Sequence, residues 1–152
     1  MPGILKGYKV GICSGYFDPL HAGHVEYLIT AKSKCNYLIV IVNNDKQAEA
    51  KKGFVAIGEN DRLKIAMAIK GVDRVILATD EDKTVCKTLE HLAAITEYGK
   101  YKLFFFKGGD RFADEIPEAA ICKKLGITMM DGLGKKIDSS TRINTAVRNL
   151  GN

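Results

Sequence analysis

Two histidines three residues apart, His21 and His24, are the side chains of this sequence best suited to chemistry. They close the stretch Ser14-Gly15-Tyr16-Phe17-Asp18-Pro19-Leu20-His21-Ala22-Gly23-His24. In a helical turn, side chains at this spacing point the same way. Paired imidazoles suit the oxygens of a phosphate group on which negative charge builds during displacement. Gly23 between them lacks a Cβ and lets a ligand approach closely. A zinc pair is one competing reading. However, no glutamate follows His21 as in HExxH, and only Asp18 stands near as a third ligand. A structural pair is the other. Asp18 could help hold a Mg2+ already chelated by a nucleotide, or could cap the turn.

These residues need elements to position them. Apolar β-favouring runs at residues 8–14, 37–43, 74–77, 102–106 and 127–130 alternate with helix-period segments at 23–32, 59–70, 84–98, 117–125 and 141–150. In the first helix Val25, Leu28 and Ile29 are the expected inner face; in the second, Leu63, Ala66, Met67 and Ile69; in the third, Val85, Leu89, Leu92 and Ile95. The expected fold is α/β and Rossmann-like: a doubly wound, mainly parallel five-stranded sheet with helices on both faces, in one domain spanning residues 1–152. The run YLIVIVN is apolar almost throughout, as a strand covered on both faces should be. Residues 46–58 lack a periodic pattern and read as a mobile loop bearing Lys51 and Lys52. The histidine stretch follows the first strand and enters the first helix. That is where ligands bind in parallel α/β sheets, and where free backbone N–H groups favour phosphate.

The chain has 152 residues, 23 of them lysine or arginine against 18 aspartate or glutamate, for a net charge of +5. That excess suits an anionic small molecule, and the scattered basic residues do not form the stripe of a dedicated DNA binder. Cys13, Cys35, Cys86 and Cys122 form no C-x-x-C pair and read as free thiols of a reducing compartment. No signal-peptide pattern or membrane-length apolar run is evident, so a cytoplasmic protein with no membrane partner is expected.

Two further stretches have the right chemistry. Ser139, Ser140 and Thr141 precede the last helix segment, can cap it, and can place its N-terminus under a triphosphate, with Arg142 in reach of the same phosphates. Lys107-Gly108-Gly109-Asp110 ends a buried strand in a tight turn. There Asp110 could bind a ribose or acceptor hydroxyl, while Arg111 is either a surface residue or an acceptor-phosphate contact.

The string GYFDPLHAGH resembles the HxGH signature of the cytidylyltransferase-like nucleotidyltransferases. Val42-Asn43-Asn44-Asp45, Arg62, Gly71-Val72-Asp73, the KGGD turn and Ser139-Ser140-Thr141 extend the resemblance over residues 8 to 146. The KGGD turn is similar to that of adenylyltransferases that activate heptose 1-phosphate. The resemblance implies transfer of CMP or AMP from CTP or ATP to a phosphorylated sugar or polyol with release of pyrophosphate, in the making of activated precursors for surface polysaccharide or lipid. It implies catalytic roles for His21, His24 and a lysine, Lys51 or Lys52, that closes over the phosphates. Gly15, Tyr16, Phe17, Gly23, Gly108, Asp110, Ser139, Ser140, Thr141 and Arg142 would meet the nucleotide; Asp18, Arg62 and Arg111 would meet the acceptor. Mg2+ bound through the phosphates and a homodimer are implied as well. Two departures stand out from the glycerol-phosphate cytidylyltransferases: Lys70 replaces an arginine, and Lys135-Lys136 stand where RTEG is usual. The alternative is a non-catalytic nucleotide- or RNA-binding module of the same fold.

Overall fold

The computed structural model describes residues 7–95, 101–108 and 116–133. Five parallel strands form one sheet in the order β3-β2-β1-β4-β5. The strands are β1 (Lys9–Gly15), β2 (Tyr37–Val42), β3 (Arg74–Leu77), β4 (Lys102–Gly108) and β5 (Thr128–Leu133). The helices are α1 (Ala22–Lys32), α2 (Asp45–Lys52), α3 (Glu59–Met67), α4 (Cys86–Ala94) and α5 (Glu118–Leu125). The chain winds outward from β1 through β2 to β3, then crosses back to lay β4 on the other side of β1. Strand order therefore reverses between β1 and β4, and in open parallel sheets ligands bind beyond the carboxyl ends of the strands at such a reversal.

The period of two along each strand divides the core. Val10, Ile12, Ile39, Ile41, Leu103 and Phe105 face one side, with Leu89 and Leu92 of α4 and Cys122 of α5. Cys13, Leu38, Val40, Val42, Phe104 and Phe106 face the other, with Tyr27, Leu28 and Ala31 of α1 and Ala66 of α3. Both faces are covered, which is why β2 carries no polar residue. Phe104, Phe105 and Phe106 are core residues, all buried.

The structure corrects several local expectations. Residues 46–58 are not one loop: α2 occupies Asp45–Lys52. Its Asn44 caps the Gln47 N–H while the Gln47 side chain caps the Asn44 N–H. Its residues DKQAEAKK are mostly strong helix formers but carry no apolar stripe, so periodicity is silent there. Gly53, at φ 83°, ends the helix in the left-handed conformation. On α1 the inward stripe is His24, Tyr27, Leu28 and Ala31, at i, i+3, i+4 and i+7; Val25 is only partly buried and Ile29 is 50% exposed. On α3 the buried residues are Arg62 and Ala66, while Met67 lies on the surface. That helix stops at Met67, and α4 at Ala94 with Ile95 exposed. The helix expected at 141–150 lies outside the described residues.

Candidate active site

Gly15 ends β1, and the chain then turns sharply. Phe17 is buried with φ 51°, a left-handed conformation rare for a bulky residue. Its ring folds back over Gly15, where a Cβ would come within 2.8 Å of it, so glycine is required there. The same ring meets His24 edge-on, with centroids 5.0 Å apart. Phe17 is thus a packing residue that supports a histidine rather than a surface open to a nucleotide.

His21 is the N-cap of α1. Its Nδ1 accepts the Gly23 N–H at 3.0 Å, and its own backbone N–H donates to His24 Nδ1 at 3.2 Å. The two rings stack with centroids 3.8 Å apart. Because each Nδ1 is an acceptor, the proton of each neutral ring sits on Nε2. Burial lowers the pKa of His21, and burial reinforced by the neighbouring His21 lowers that of His24 to about 4. At neutral pH the site therefore presents two uncharged Nε2–H donors side by side. Gly23 offers less than expected, since its N–H is spent on His21.

Asp18 is walled in, with its side chain 0% exposed. Oδ2 accepts from Lys52 Nζ at 2.7 Å and from the Ala56 N–H at 3.0 Å; Oδ1 accepts from the Ile57 N–H at 2.6 Å. Burial pushes the pKa of the carboxyl up, but the Lys52 bond and the two backbone donors outweigh it, and the net is below the ordinary value. Of the readings open for Asp18, the structure shows the turn-capping one: both oxygens are engaged by groups of the protein itself. Among the described residues no group of three or more His, Cys, Asp or Glu could hold a metal ion.

Arg62 is corrected in the same way. Its side chain is 0% exposed and serves the ends of three elements. Nε donates to Ile57 O, Nη1 to Tyr16 O and Asn43 O, and Nη2 to Asp45 Oδ1 at 2.8 Å. Four of its five N–H donors are thus engaged within the fold, where they tie together the segments around the end of β1. Lys51 and Lys52 sit in the last turn of α2, not in a loop. Lys51 Nζ lies 4.3 Å from the centroid of the half-buried Tyr16 ring, and Lys52 Nζ reaches Asp18. Gly108 leaves room for Tyr27, whose ring would be 3.0 Å from a Cβ there, and the Tyr27 hydroxyl donates to Phe106 O. Asp110, Arg111, Ser139, Ser140, Thr141 and Arg142 lie outside the described residues.

The site thus joins His21, His24, Asp18 and Lys52 around the carboxyl end of β1. Residues 12–145 match the family model described as cytidylyltransferase-like. The chain belongs to the cytidylyltransferase-like family of nucleotidyltransferases. An FAD synthase of Thermoplasma volcanium is 30% identical over 139 residues, 90% of this chain and 89% of that protein. The bifunctional protein HldE of Methylobacillus flagellatus is 39% identical over 82 residues, but these are 53% of this chain and only 17% of HldE. Among solved structures, the lipopolysaccharide core biosynthesis protein of Thermoplasma volcanium GSS1 superposes with a TM-score of 0.66 at 30% identity, over 86% of this chain and 98% of that one.

The family signature accounts for the two histidines and the turn before them. Sequence reasoning missed the Asn44–Gln47 pair, whose amides also hold Ala78 O, Asp80 O, Asp82 O and Thr84 O. The N-x-x-Q spacing of a capping box was the available signal.

Proposed function

We propose that this protein transfers AMP from ATP to a phosphorylated sugar or polyol and releases pyrophosphate. The observation that carries it is the pair of neutral imidazole donors stacked at the start of α1, where the strand order reverses. A phosphate oxygen of the acceptor attacks the α-phosphorus in line. The bond from that phosphorus to the bridging oxygen breaks, and the electron pair leaves with pyrophosphate. His21 and His24 donate Nε2–H to oxygens on which charge develops, while a lysine of α2 meets the outer phosphates. No proton need move to or from the rings, consistent with their low pKa. A divalent cation, Mg2+ by preference, would arrive on the triphosphate and neutralise part of its charge.

Two features favour ATP over CTP: the KGGD-like turn, and kinship with an FAD synthase, whose product contains an AMP unit. FMN is itself the phosphate of a polyol chain, so it belongs in the acceptor class beside sugar 1-phosphates. The test is pyrophosphate release with ATP, CTP, GTP and UTP, each paired with FMN, sugar 1-phosphates and glycerol 3-phosphate. The expected result is release that requires both ATP and one acceptor. Preference for CTP, or release indifferent to the acceptor, contradicts the proposal.

A further inference from the structure

Lys52 has three N–H donors. Two are spent on Asp18, on its backbone oxygen at 2.6 Å and on Oδ2 at 2.7 Å. The ammonium is thereby fixed against the turn three residues before His21, and its side chain is 19% exposed. Asp18 also holds the Ala56 and Ile57 N–H groups, so it ties both the end of α2 and the segment after it to the β1–α1 turn. A lysine in the last turn of a helix otherwise samples many rotamers, and fixing one costs entropy at the moment of binding. Here that ordering is already done by a buried carboxylate, itself fixed by the Ala56 and Ile57 N–H groups.

We propose that Asp18 is a positioning residue for nucleotidyl transfer: it holds the Lys52 ammonium, with the Phe54 ring 5.1 Å away, against the turn that leads into the histidine pair, so that its third N–H can meet an outer phosphate oxygen of the triphosphate. The inference rests on the nucleotidyl-transfer reading and assigns Lys52, rather than Lys51, to the phosphates. The Asp18 side chain is 0% exposed and that of Lys52 19%, so an entering triphosphate would meet the ammonium rather than the carboxylate. Toward the outer phosphates Asp18 acts through Lys52, which gives the claim a thermodynamic signature: the loss specific to ATP over AMP on removing Asp18 should appear only while Lys52 is present.

The experiment is a double-mutant cycle of wild type, Asp18→Asn, Lys52→Met and the double variant, with binding of ATP and of AMP measured calorimetrically in Mg2+. Each single variant is expected to weaken ATP by about tenfold or more while AMP stays within about twofold, because AMP lacks the outer phosphates. The double variant should bind ATP as Lys52→Met does. An Asp18→Asn effect as large without Lys52 as with it, or equal losses for ATP and AMP, overturns the proposal. Should Asp18→Asn fail to fold, Asp18→Glu keeps the charge and shifts it by one methylene; unchanged ATP affinity in that variant overturns the proposal too. Wild-type pyrophosphate release is measured in parallel. Release with an additive cycle removes the role of Asp18 alone, whereas a wild type that binds no ATP removes the nucleotidyl-transfer reading with it.

Discussion

His24 serves both the fold and the site. Its Nδ1 caps the His21 N–H and its ring packs against Phe17, while the proposed transfer would use its Nε2–H. The packing has a measurable consequence. Folded His24 stays neutral down to about pH 4, whereas an unfolded histidine takes a proton near 6.5. Between these values the unfolded state binds more protons, so stability is complete above pH 6.5 and declines as pH falls toward 4. Melting temperatures across this range should fall more steeply for wild type than for His24→Asn; parallel curves would refute the assignment. Arg62 gives a second residue-scale prediction. Lysine cannot reproduce four bonds from one planar group, so Arg62→Lys should cost about 3 kcal/mol in urea unfolding by stranding buried carbonyls. The histidine spacing was legible in the sequence because both members lie in one turn. The partners of Asp18 were not: Lys52 and Ile57 are 34 and 39 residues away, and only the fold brings them together.

At the scale of elements, α2 and β1 show how different signals reveal structure. Strand β2 was readable because burial on two faces writes a continuous apolar run. Helix α2 was not, because it buries Gln47 and Ala48 rather than an apolar stripe, and its stability comes from its cap. Asn44→Ala should therefore cost about 1 kcal/mol for the cap and more for the lost bonds to Ala78 O and Asp80 O. The urea midpoint should drop with an unchanged slope. In β1, the central strand, Gly11 is held by crowding rather than by its conformation. A Cβ there would lie 2.5 Å from the Phe106 ring and 2.7 Å from Cys35 Sγ. Gly11→Ala should accordingly destabilise by about 1–3 kcal/mol, despite the better strand propensity of alanine. A neutral or stabilising result would mean that Phe106 and Cys35 can move aside.

For the whole molecule, alternation of strands and helices announced a parallel sheet, but not the order of its strands. The order matters for the proposed function, since the reversal between β1 and β4 is where ligands bind in sheets of this kind. The histidine turn, the α2 lysines and the Arg62 brace converge there from segments up to 46 residues apart. The site is thus a property of the winding, while its chemistry was already written in one short string. The most direct test of nucleotidyl transfer by that string is the single-turnover rate of His24→Ala with saturating ATP and acceptor, beside the ATP dissociation constant of the same variant. Loss of one donor that matters chiefly in the transition state predicts a rate lower by about 10²–10³-fold with affinity changed far less. A rate within about threefold of wild type would contradict the account, because no comparable loss of transition-state stabilisation would then have occurred.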